Sequence, residues 1–194
     1  MSKSSELLEI AKKHLYGNYK PAPFVVASGR GCELFDADGK RCLDLAAGVA
    51  VSCVGHAHPV LVAKIAEQAG KVIHASNYYF NEANIRLAAE LCKRTGFDRA
   101  FFCNSGAEAN EALLKLARHH FYGRGDKGRN RIIAFDNAFH GRTMGALSMT
   151  GTPKYREGFG EMGPVTHVRY GDLDAVKAAM GPDVAAVIVE PVQG

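Results

Sequence analysis

From about residue 99 onward, short apolar runs alternate with stretches of helical period. Arg99–Cys103, Arg131–Phe135, Val165–Val168 and Val184–Val189 read as strands, the last the most apolar. Between them, Ala107–His120, Thr143–Ser148 and Leu173–Met180 read as helices. Strands alternating with helices predict an α/β fold, a mostly parallel sheet with helices on both faces. Earlier in the chain the rhythm differs. Leu7, Leu8, Ala11 and Leu15 predict a helix over 5–16, and the prolines of Asn18–Phe24 exclude one. Phe24–Ala27, Cys32–Phe35 and Lys40–Leu45 predict a β-meander with a hairpin at Asp36–Gly39. Pro59 opens a further helix through Leu61, Ile65 and Ala69, and Asn84–Arg94 is another. The change of pattern puts a boundary near residue 50. Only five residues follow the last strand, an unusual place for an open α/β sheet to stop, so the sheet is expected to be incomplete within this chain.

With 47% hydrophobic and 23% charged residues in 194, the composition is that of a soluble globular protein. The net charge of +4 is dispersed. Its densest cluster, Gly123–Arg131, is broken by Asp126 and glycines and reads as a solvated loop, which argues against nucleic acid as a partner. No run approaches the ~18 apolar residues of a membrane span, so no membrane partner is expected. The first residues lack the apolar core of a secretory signal, and five cysteines are scattered without a CxxC pair. Reduced thiols and a cytoplasmic location are expected.

Two junctions carry candidate chemistry. At Asn104-Ser105-Gly106-Ala107 a predicted strand turns into a helix, and the first N–H groups of a helix have no partners within it. Together with the helix dipole they suit an anion, while Ser105 alone also fits the bland reading of an N-cap. After the strand 131–135 comes Phe139-His140-Gly141-Arg142-Thr143. There Phe139 offers a face for a flat ring and Arg142 a planar fork for a carboxylate; a core Phe and a surface charge are the plainer alternatives. Other strings carry less. Gly123-Arg-Gly-Asp-Lys-Gly128 follows a helix and precedes a strand, the reverse of a dinucleotide fingerprint. Asp36-Ala-Asp-Gly39 lacks the closing ligands of a calcium loop, and neither His56-Ala-His58 nor His119-His120 has a ligand-spaced partner. No metal is expected.

The segment Asn104-Ser-Gly-Ala-Glu-Ala-Asn-Glu111 resembles the phosphate turn of class III (ornithine-type) pyridoxal-phosphate-dependent aminotransferases. Gly55-His-Ala-His-Pro59, Ser76-Asn-Tyr-Tyr79, Phe139-His-Gly-Arg-Thr143 and Val189-Glu-Pro-Val-Gln-Gly194 occur in the family's order, so the likeness runs from about Tyr16 to the last residue. It implies a fold type I large domain, incomplete here. Residues 1–50 would be a helix and meander of the small domain, and 51–194 the first half of the cofactor-binding domain. It also implies pyridoxal 5'-phosphate as cofactor, held by Ser105, Gly106, Ala107 and the ring-stacking Phe139. Arg142 would hold a substrate carboxylate and Tyr19 would lie near the substrate; an aromatic packed beside a Pro-rich turn explains Tyr19 as well. His140 is expected to support rather than to act as a base. The resemblance further implies a homodimer with its active site at the interface.

Ornithine-specific members carry a tyrosine where this chain has Val49. The stretch Asp44–Val51 resembles members that act on N-acetylornithine or N-succinylornithine, whose α-nitrogen is acylated and needs no polar wall. The implied reaction is transamination of such a donor with 2-oxoglutarate, giving the semialdehyde and glutamate, in arginine or lysine biosynthesis. The family's catalytic lysine is expected beyond the motif ending at Gly194. Lys115 and Lys177 fall on predicted helices, so this chain is expected to contain no catalytic residue. The alternative is a non-catalytic module that binds a phosphate ligand or pairs with other chains.

Overall fold

Ser2 accepts a hydrogen bond from the Ser5 N–H and starts α1 (Lys3–His14). Glu6 in its first turn and Lys12, Lys13 and His14 in its last match the helix dipole. An antiparallel meander comes next, β1 (Val26–Arg30), β2 (Glu33–Asp36) and β3 (Arg41–Leu43). Its second hairpin turns on Asp36, whose Oδ1 accepts from the N–H groups of Asp38 and Lys40 at 2.9 and 2.7 Å. Beyond β3 the chain makes a single left-handed turn, α2 (Ala47–Ala50), with φ between +47° and +63° at all four residues. The next helix, α3 (Pro59–Ala69), carries its proline at the start, where no N–H is needed.

The computed structural model describes all 194 residues, in two compact units, Met1–Phe80 and Asn81–Gly194. Residue 50, where the sequence pattern changes, lies inside the first unit. Gly31 and His56 exchange backbone hydrogen bonds of 3.0 and 2.8 Å across that point and tie the segment leading into α3 to the meander.

In the second unit, Asn81 caps α4 (Glu82–Thr95) and Gly96, at φ +76°, ends it. The strand expected at Arg99–Cys103 does not form. The segment runs beside no partner strand, and a strand exists only where its backbone groups find a ladder. Next come α5 (Gly106–Tyr122), β4 (Arg131–Phe135), α6 (Met144–Met149), β5 (Val165–Val168), α7 (Leu173–Ala179) and β6 (Val184–Val187), all within a few residues of expectation.

The sheet order is β5-β4-β6 and both pairings are parallel. The pleat of β4 sends alternate side chains to opposite faces. Ile133 and Phe135 join Val168 and Val184 against Ala175, Val176 and Ala179 of α7. Ile132 and Ala134 join Leu114 of α5 and Met149 of α6 on the other face. The expected helices on both faces are therefore present, and they explain why β4 is apolar at every inner position.

Arg131, at the start of β4, ties the near end of this sheet together. Its guanidinium makes two bonds to the Asp183 carboxylate (2.6 and 2.9 Å), one to Thr166 Oγ1 on β5 (2.9 Å) and one to the carbonyl of Ala179 at the end of α7 (3.0 Å). The Arg131 guanidinium holds the Asp183 carboxyl below the usual carboxylate range. A group depressed in this way stabilises the fold above its ordinary pKa and loses that contribution as pH falls through its folded value. Asp183→Asn is expected to lower the urea midpoint at pH 7, and the gap to wild type should close on acidification. A gap that stays constant from pH 7 to pH 2 would show that the charge of Asp183 adds no stability.

Candidate functional site

Because all three strands run the same way, the segments that leave β4, β5 and β6 emerge at one edge of the sheet. There they bond to one another. The Phe139 N–H donates to Glu190 Oε1 at 3.2 Å, the Tyr170 hydroxyl to the carbonyls of Glu190 and Pro191, and Gln193 Nε2 to the Asp136 carbonyl at 3.0 Å. Ligands of open α/β sheets bind at such an edge.

The N-terminus of α5 joins this edge. Ser105 is extended and its Oγ accepts from the Glu108 N–H at 3.1 Å. The Glu108 carboxylate reaches back to the Asn104 N–H at 2.6 Å, a capping box shifted by one residue. The N–H groups of Ser105, Gly106 and Ala107 have no acceptor within the protein. The space before Gly106 is open, since a Cβ there would meet nothing within 4 Å.

Gly141 couples that turn to the loop after β4. At φ +133° it adopts a backbone conformation that favours glycine, and an added Cβ would lie 2.7 Å from the Ala107 Cβ and 3.0 Å from its Cα. Asn110, one turn into α5, donates from Nδ2 to the His140 carbonyl at 2.6 Å. Glu111 reaches the start of α6, where its Oε1 accepts from Thr143 Oγ1 (2.6 Å), Gly145 N–H (2.8 Å) and Ala146 N–H (3.1 Å). Burial pushes the Glu111 carboxyl up, but the Thr143 hydroxyl and the two N–H groups outweigh it and the net shift is downward. The charged form is thus the one that fits.

On the loop itself, Phe139 leaves 53% of its surface exposed. Arg142 lays its guanidinium 4.0 Å from the centroid of the Tyr155 ring and 5.6 Å from that of Phe139. The two rings meet edge to face at 6.4 Å. Arg142 is exposed and makes no ion pair, so its fork is available to an anion. His140 is 5% exposed and its N–H donates to Thr150 Oγ1 at 3.0 Å. Burial pushes its imidazole pKa down and favours the neutral ring, against the smaller upward pull of the Glu190 charge. His140 Nε2 and Glu190 Oε2 are both buried without a protein partner.

Of the residues expected from sequence, Ser105, Gly106, Ala107, Phe139 and Arg142 come together in the second unit. Tyr19 sits in the first unit, exposed in the bend after α1. No group of three His, Cys, Asp or Glu side chains is arranged to hold a metal ion. Lys115 and Lys177 are exposed on α5 and α7. Sequence reasoning assigned no part to Asn110, Glu111 or Glu190, although all three lie inside the motifs that stood out. Tyr155 had no local signal, since it lies beyond Arg142 by a helix and a polar loop.

The Gly141–Ala107 contact is the narrowest joint of the site. Gly141→Ala must move helix backbone, and overpacking of this kind costs about 1–3 kcal/mol. A urea melt monitored by far-UV circular dichroism is expected to show that loss. An unchanged midpoint would mean that the joint yields freely.

Comparison with known proteins bears on this geometry. The pattern of the aminotransferase class-III family matches residues 16–194. The chain is 48% identical to the acetylornithine aminotransferase of Myxococcus xanthus over 194 residues, which are 100% of this chain and 48% of that protein. It is also 48% identical to the succinylornithine transaminase of Salmonella paratyphi B over 177 residues, 91% of this chain and 43% of that protein. The chain thus spans about half the length of the curated relatives it matches. Among solved structures it superposes on an ornithine aminotransferase from Toxoplasma gondii whose active site holds pyridoxal phosphate at partial occupancy. The TM-score is 0.91 at 30% identity, over 100% of this chain and 46% of that one. No helix is long and apolar enough to cross a membrane. The fold, the two joined loops and the match over nearly all of its length show that this chain belongs to the class-III aminotransferases, a family whose cofactor is pyridoxal phosphate.

Proposed function

We propose that these residues hold the cofactor and orient the substrates in an enzyme that transaminates N-acetylornithine, or N-succinylornithine. The acceptor is 2-oxoglutarate and the products are the semialdehyde and glutamate, a step of arginine or lysine biosynthesis. The observation that carries the reading is the coupling of three unpartnered N–H groups at Ser105–Ala107 to the Phe139–Arg142 loop through the Gly141–Ala107 contact.

The chemistry of the donor set fits the cofactor. Three N–H groups at the positive end of α5 suit a phosphate. The Ser105 oxygen is already used as an acceptor, so its O–H is free to donate to a phosphate oxygen. Phe139 offers the exposed face on which a pyridine ring would stack. When bound, the pyridine ring supplies an electron sink for proton transfer at the carbon bearing the amine. Arg142 then orients a substrate carboxylate with its planar fork, and Tyr155 supports that fork from below. Asn110, Glu111 and Glu190 hold the backbone of the loop in place. The proton shuttle is assigned to a lysine in the half of the relatives that this chain does not match, and a homodimer with Tyr19 near the substrate completes the proposal.

Val49, 92% exposed, is read as an apolar wall for the acylated end of the donor. The relatives' names support the donor class. The test is steady-state turnover by the full-length protein. N-acetylornithine or N-succinylornithine should be the preferred donor, and much faster use of free ornithine or 4-aminobutyrate would overturn the reading. Arg142→Ala in that protein is expected to lower kcat/KM for the donor by about 10- to 100-fold, the worth of a charge-assisted hydrogen bond of about 1.5–3 kcal/mol. Its affinity for pyridoxal phosphate, read from absorbance titration, should stay near wild type. Equal loss of both would assign Arg142 to the cofactor instead.

A further inference from the structure

The left-handed turn that carries Val49 is a costly piece of backbone. Three of its four residues are not glycine, and L-residues avoid this region, a β-branched one most of all. Conformations of this kind persist only where the surroundings hold them. One carboxylate does much of the holding. Asp44 Oδ1 accepts from the N–H groups of both Ala46 and Ala47 at 2.9 Å, at the entry to the turn. Its Oδ2 takes a 2.6 Å bond from His56 Nε2. Both partners are sheltered, with 9% of the Asp44 and 23% of the His56 side chain exposed.

His56 is in turn fixed from two sides. Its backbone exchanges both hydrogen bonds with Gly31. Its side chain packs so close to the meander that a Cβ on Gly29 would lie 2.8 Å from the His56 Cβ and 2.9 Å from its ring Cγ, and the backbone beside it is as tight, since a Cβ on Gly55 would lie 3.0 Å from the Gly31 Cα. The exit of the turn is closed by Ser52 N–H donating to the Ala47 carbonyl at 2.8 Å. A line of contacts therefore runs from β1 through His56 and Asp44 to the N–H of Ala47, two residues before Val49.

We infer that Asp44 and His56 are positioning residues, which hold the turn that presents Val49 and so set which amine donor the enzyme accepts. This rests on the reading of Val49 as the donor-facing wall. Neither residue needs to touch the substrate, because each acts through the turn. Loss of either bond leaves Ala47–Ala50 free to relax to ordinary φ values, and Val49 then leaves its place.

The test uses two readouts. In the full-length holoenzyme, His56→Ala and Asp44→Ala are expected to raise KM for N-acetylornithine about tenfold, with kcat changed by less than about threefold. The preference for N-acetylornithine over ornithine should fall by a similar factor. Asp44→Asn keeps an acceptor for the two amides and should fall between wild type and Asp44→Ala. In the 194-residue chain, hydrogen exchange at Ala46 and Ala47 should speed up in His56→Ala while the amides of α5 stay unchanged. Unchanged exchange at Ala46 and Ala47 would overturn the inference, as would an unchanged donor preference in His56→Ala. Val49→Tyr separates the two ideas. If it moves the preference and His56→Ala does not, the wall stands and the positioning pair falls. If Val49→Tyr moves nothing, the wall itself is wrong.

Discussion

The site depends first on the parallel pairing of β4 with both of its neighbours. Parallel strands deliver their C-terminal ends to the same edge, and here that edge receives the segments carrying Phe139, Tyr170 and Glu190. An antiparallel neighbour would have sent one of them to the far end of the sheet. The register is enforced from the other end by Arg131, whose guanidinium touches β5, the end of α7 and the turn before β6. A slip of one residue in either pairing would also turn Ile132 and Ala134 toward the face now filled by Ile133 and Phe135. Packing on both faces and the edge cluster are thus two results of one arrangement.

Around that edge the polar groups are used unevenly. Glu111 spends one carboxylate oxygen on three donors, which fixes the start of α6 and with it the exit of the Phe139–Arg142 loop. Glu190 spends one oxygen on the Phe139 N–H and keeps the other in reserve. By contrast Arg142 is supported only by aromatic faces. The anchoring carboxylates are committed to the scaffold, and the groups that face outward are cations and N–H donors. That division gives the site a positive character without any cluster of surface lysines.

Much of the fold could be read from the sequence because β4 and its neighbours obey rules that are visible in local pattern. β4 and β5 fall on their expected residues, since an all-apolar run between helical stretches has few other structures open to it. Arg99–Cys103 has the same apolar look but no strand beside it, and hydrogen-bond partners are not written in a local pattern. The candidate site was legible where the motif residues themselves are proposed to meet a ligand, as at Ser105–Ala107 and Phe139–Arg142. It was less legible where residues act on the backbone of other segments. Glu111 to Gly145 spans 34 residues and Phe139 to Glu190 spans 51. Asp44 and His56 are 12 apart, and although each lies in a stretch that resembles the family, no local pattern ties one to the other. The left-handed turn between them runs against every local preference of Ala and Val.

The order β5-β4-β6 has a consequence for the behaviour of the chain as a material. Its middle strand is satisfied on both sides, while β5 and β6 each present an outer row of peptide groups with no ladder. The unpaired segment at Phe101–Phe102 lies exposed as well. Such rows are templates for any strand that drifts past, including one from another copy. Concentrated solutions of these 194 residues should therefore favour edge-to-edge association, since neither edge strand carries a lysine, a carboxylate or a proline to blunt it.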